Sequence, residues 1–107
     1  MSQDINRLLM EIEHKMRSVN REIINPQVPE LTIDDMRPVI CLVANARARY
    51  LKTLVELGDK AADNALSDDQ LEELARRRRE YDELVSAAKA FETAIQRGYL
   101  DVVPGTR

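Results

Sequence analysis

Apolar residues recur at helical spacing along most of this chain, and most densely over residues 36–58, MRPVICLVANARARYLKTLVELG. At about 100° per residue, Met36, Val39, Ile40, Val43, Tyr50, Leu51, Leu54 and Leu57 fall on one broad face. Arg37, Cys41, Asn45, Arg49, Lys52 and Glu56 fall opposite. A face this wide can receive more than one neighbouring helix, so the segment reads as the central helix of a bundle. Arg47 interrupts it from the middle of the apolar side.

Upstream, Ile5, Leu9, Ile12, Met16, Val19 and Ile23 step alternately by four and three, the spacing of a heptad seam, and Leu8 widens it. The seam predicts a first helix over 4–24. Pro26 ends it, because the residue before a proline is driven out of helical geometry. Residues 26–31, PQVPEL, form an extended linker. Thr32 is a good N-cap, with Asp34 and Asp35 in the following turn and Leu31 and Met36 spaced as a hydrophobic staple. Pro38 lies late for that cap, so the helix either restarts there or bends. Gly58 is one possible stop, but the helix-favouring run that follows extends the second helix over 33–65. Ser67 and Gln70 have the spacing of a capping box and open a third helix over 68–97. Gly98 stops it.

The expected fold is therefore all-α: a three-helix antiparallel bundle, one domain over 1–98, with a C-terminal tail over 99–107. Its second and third helices make a long hairpin, and the shorter first helix covers only part of it. Leu54, Leu57, Leu71 and Leu74, at the far end of the hairpin, are then left as an apolar patch. A homodimer is the simplest way to cover such a patch. The apolar tail is expected to fold back onto the bundle or to add to a partner.

Composition narrows the chemistry. The 107 residues are 33% charged and 44% hydrophobic with only three glycines, as in a helical protein of one modest core. A net charge of −3 gives no general attraction to nucleic acid or to anionic membranes. One cysteine, Cys41, precludes an intramolecular disulfide. No secretory leader and no apolar run of membrane-spanning length is recognised, so the expected location is cytoplasmic.

No catalytic, cofactor or metal motif stands out, and none is expected. Glu11 and His14 have the spacing used in di-iron bundles, but only one such pair exists and His14 points away from the seam. Arg76, Arg77, Arg78 and Arg79 suggest nucleic acid. Four consecutive helical positions point in four directions, however, and acidic residues flank them. Arg47 is expected to be a buried ion pair or an anion site. Placing Ile24 opposite Met36 in antiparallel neighbours brings Arg47 level with Glu13, the expected partner, with Glu92 in reserve.

The leading expectation is a non-catalytic oligomerisation or adaptor protein, homodimeric and bound to a further protein partner. The alternative is a dimeric nucleic-acid-binding regulator using the arginine run. A small helical enzyme holding an anionic substrate through Arg37, Arg47 and Arg49 comes third, and no stretch matches a known catalytic family.

Overall fold

A computed structural model describes residues 2–104. In chain order the elements are α1 (Ser2–Ile24), β1 (Leu31–Thr32), a single 3-10 turn (Asp34–Met36), α2 (Arg37–Ala61), α3 (Asp68–Gln96) and β2 (Val102–Val103). Among the described residues the protein is thus mostly helical, with three α-helices and a long α2–α3 pair. None of the described helices is long and apolar enough to cross a membrane. The chain divides into two units: one holds α1, the connector through Met36 and everything from Phe91 onward, and the other is Arg37–Ala90.

In the first unit, local chemistry sets each boundary. Asp4 near the start of α1 and Arg21 in its last turn complement the helix dipole. After the proline-rich connector, Thr32 and Asp35 cap the short turn reciprocally. The Asp35 carboxylate accepts from the Thr32 amide at 2.8 Å and from its hydroxyl at 3.0 Å, and the Thr32 hydroxyl accepts from the Asp35 amide at 3.3 Å. Thr32 therefore caps one turn only, and α2 starts afresh with Pro38 at its second position, where a missing N–H breaks no helical bond. Of the two outcomes expected at Pro38, a restart or a bend, the chain takes the restart, so the long helix begins at Arg37 and not at 33.

At the other end of this unit, Gly98 takes the left-handed conformation (φ 74°) that ends α3. Its amide donates to the Ile95 carbonyl at 3.1 Å, and the Tyr99 amide donates to the Ala94 carbonyl at 2.8 Å. Those two bonds make a Schellman cap, which reverses the chain. The segment beyond then runs parallel to the connector: Leu31 pairs with Val102 and Thr32 with Val103. The Leu31 amide bonds the Asp101 carbonyl and the Ile33 amide bonds the Val103 carbonyl, each at 3.2 Å. Leu100 is 4% exposed. Leu100 is therefore part of this unit's core, with Tyr99 and residues 101–103 half-buried beside it, and residues 105–107 lie outside the described residues.

The second unit is the hairpin. Ser67 and Gln70 form the expected capping box, with the Ser67 amide donating to the Gln70 side chain at 2.9 Å and the Gln70 amide to the Ser67 hydroxyl at 3.2 Å. α2 stops at Ala61, four residues before the sequence expectation, because Ala62 adopts φ 50° and its amide closes back on the Gly58 carbonyl. Gly58 lies inside the helix. The buried residues of α2 are Ala46, Thr53 and Leu57. Together with half-buried Val43 and Tyr50 they step by three and four along one line. On α3, half-buried Leu74, Arg77, Tyr81, Leu84 and Ala88 step by three and four in the same way, and Tyr81 contacts α2.

Candidate interaction surface

The side chains that cross the hairpin are mostly polar. Arg47 is exposed, and its Nε and Nη2 donate to the Tyr81 hydroxyl at 3.3 and 3.2 Å. Its guanidinium carbon lies 5.4 Å from the centre of the same ring, within cation–π range. Tyr50 and Tyr81 have ring centres 6.0 Å apart, tilted by 43°. Arg49 forms an ion pair with Glu80, and Arg77 approaches the same carboxylate at 4.0 Å. Arg47–Tyr81, Tyr50–Tyr81 and Arg49–Glu80 thus join α2 to α3 around the middle of the hairpin.

Arg47 is bonded to a phenol on α3, and its exposed position removes the desolvation argument for a buried ion pair. Glu13 contacts Arg17 one turn away at 3.5 Å, and Glu92 accepts from Gln96 at 3.3 Å. Arg49 is engaged with Glu80, while Arg37 is exposed at the first position of α2.

Within the arginine run, Arg79 pairs with Glu72 at 2.9 Å and Arg77 lies beside Glu80. Arg77 is half-buried, and its Nε is buried without a hydrogen-bond partner. The run therefore presents no continuous basic stripe. A cleft of about 190 Å³ beside Tyr50, Leu71, Leu74, Ala75 and Arg78 is smaller than the roughly 300 Å³ at which small-molecule sites begin. Cys41 is a half-buried free thiol. Among the described residues no three His, Cys, Asp or Glu side chains are grouped to hold a metal.

The four leucines proposed for an interface separate. Leu57 is 3% exposed and belongs to the hairpin's own core, whereas Leu54 is 51% exposed. Leu71 is exposed and Leu74 half-buried. Ile40, Leu51 and Val55 extend the exposed apolar area of α2.

The larger apolar surface is on α1, which has no buried residue. All six seam side chains and Leu8 are exposed, and even the least exposed of them, Ile12, is 46% open. A groove of about 510 Å³ runs along this helix beside Leu8, Ile12, Met16 and Val19, with Glu11, Lys15 and Asn20 at its margins. One helix supplies its whole lining, so it has the form of a helix-packing face and not of an enclosed pocket.

The unit holds α1 by another side. Arg21 reaches Asp101 with both ends of its guanidinium, at 3.2 and 2.9 Å, and donates to the Gly98 carbonyl at 2.7 Å. Hydrogen bonds from Arg21 hold the Asp101 carboxyl below its ordinary pKa, with desolvation opposing and the guanidinium charge assisting. The Arg21 guanidinium is raised in turn, first by the same hydrogen bonds and then by the Asp101 charge.

No family model matches the chain, and neither the curated proteins nor the solved structures compared with it give a match.

Proposed function

We propose that this protein is a non-catalytic oligomerisation and adaptor module that works through helix-packing contacts, and that α1 is its principal contact surface. The observation that carries the reading is the full heptad seam of α1 left exposed along the helix. A helix of 23 residues has little stability from propensity alone; its apolar stripe must normally be packed. Soluble proteins rarely leave a contiguous apolar face of this extent uncovered unless it meets a partner.

The magnitudes agree. Fully burying a large aliphatic side chain is worth about 1.5–3 kcal/mol, so covering the open halves of the seam residues and Leu8 contributes roughly 5–10 kcal/mol per chain. The cost of bringing chains together is about 4–15 kcal/mol. Association is then reversible and concentration-dependent, which suits an adaptor. The exposed strip on α2 (Ile40, Leu51, Leu54, Val55) supports the finer reading, in which helical-bundle packing is completed when these faces are covered.

Light scattering over a concentration series tests the reading. The wild-type chain should grow in mass with concentration, and Ile12→Glu with Met16→Glu should hold it at one chain while the hairpin stays helical. A wild-type chain that stays monomeric throughout contradicts self-association through α1. Low-salt binding of nucleic acid, lost when Arg76, Arg77 and Arg79 become glutamine, would favour the regulator instead.

A further inference from the structure

We propose that α1 assembles in parallel with further copies of itself, as a bundle of three or four chains and not a pair; the proposal rests on the oligomerisation reading above. The alternating steps of the seam assign Ile5, Ile12 and Val19 to the d positions of a heptad and Leu9, Met16 and Ile23 to the a positions. A parallel pair favours β-branched side chains at a and leucine at d. Here every d residue is β-branched and the first two a residues are not, the arrangement that shifts helices to three or four strands. Leu8, at g, widens the stripe on one flank. A g side chain stays largely open in a two-stranded coil and is covered in a broader bundle.

Charge decides the orientation. In an antiparallel arrangement g faces g and e faces e. Centring the seam on itself, Ile12 against Met16, would set Lys15 opposite Lys15 and Glu13 opposite Glu13. In a parallel arrangement each g meets the following e of a neighbour: Leu8 meets Glu13 and Lys15 meets Asn20. No like charges then abut.

The folded unit leaves this face free. Arg7, His14 and Arg21 occupy the f positions, on the side away from the seam, and Arg21 is the residue tied to Gly98 and Asp101 of its own chain. The intrachain anchor thus grips the back of the helix, and assembly through a, d and g displaces none of those bonds.

The test uses the full chain in sedimentation equilibrium, with a core-swapped variant (Ile5→Leu, Leu9→Ile, Ile12→Leu, Met16→Ile, Val19→Leu) as comparison. The wild type should approach three or four times the 12.3 kDa chain mass, and the swap should reduce it to twice that mass. Orientation is read from Ser2→Cys in a Cys41→Ser background, because Ser2 is the next a position and meets its counterpart only in a parallel bundle. Rapid disulfide cross-linking in oxidised glutathione is expected. A wild-type dimer, or an assembly that does not cross-link, overturns the proposal while leaving oligomerisation through α1 standing. A monomer at every concentration overturns both.

Discussion

Replacing Leu57 and Leu54 by alanine should have unequal effects, although both leucines lie on the apolar side of α2. Leu57 is 3% exposed, so its truncation loses the transfer energy of the removed atoms and leaves a cavity between α2 and α3, at a cost of about 2–5 kcal/mol. Leu54 is 51% exposed, so about half of the transfer energy is at stake and no cavity forms, which puts its cost near 1 kcal/mol. Urea unfolding measures the difference. A Tyr99→Phe background leaves Tyr50 and Tyr81, both in the hairpin, as the fluorophores of a chain without tryptophan. Adding Ile12→Glu and Met16→Glu removes self-association from the measurement. With slopes of about 1–3 kcal/mol/M, the Leu57 midpoint should fall by roughly 1–2 M at unchanged slope, and the Leu54 midpoint by well under 1 M. Equal losses at the two sites would mean that Leu54 is covered in the single chain, and the assigned hairpin seam would be wrong.

Three further outcomes follow from single residues. Gly98→Ala should destabilise the end of α3 by about 1–2 kcal/mol through its φ of 74° alone, since an added Cβ meets nothing within 4 Å; a larger loss in thermal unfolding would show an unseen contact. Ala62→Gly should raise hairpin stability by roughly 0.5–1 kcal/mol, because a left-handed alanine (φ 50°) is relieved at a smaller entropic loss; a fall in the unfolding midpoint contradicts this. Asp101 has a folded pKa depressed below its unfolded value, so the stability it contributes is full above the ordinary carboxylate range, near 3.9, and is lost as pH falls through the lower folded value. Acid titration followed by NMR at Leu100 should show that loss, and Asp101→Asn should remove the pH dependence. A profile shared by wild type and variant would place the titrating group elsewhere.

The signals that the sequence carried openly were local ones. Pro26 after α1, the Ser67–Gln70 box and Gly98 after α3 each act through bonds within a few residues, so type and spacing were enough to read them. The packing line of α2 was hidden by its breadth. A helical wheel weights large apolar residues and so centres the face near Leu51 and Leu54, whereas the buried line of α2 runs through Ala46, Thr53 and Leu57, two of them small side chains that such a wheel discounts. That shift places Arg47 at the border of the contact, within reach of Tyr81. The β1–β2 pairing was equally hidden, since two-residue strands fall below any periodicity and their partners are far apart in sequence. The seam of α1 was legible, but its exposure was not: a heptad states that a face must be covered without stating by what.

Amide hydrogen exchange as a function of protein concentration tests the central claim most directly, because it reads α1 and the hairpin in one experiment. If the α1 seam is the assembly surface, amides from Leu9 to Val19 should gain protection as concentration rises. Those from Ala46 to Leu57 in α2 should change little. Protection of α1 that is independent of concentration, whether high or low, would contradict the account.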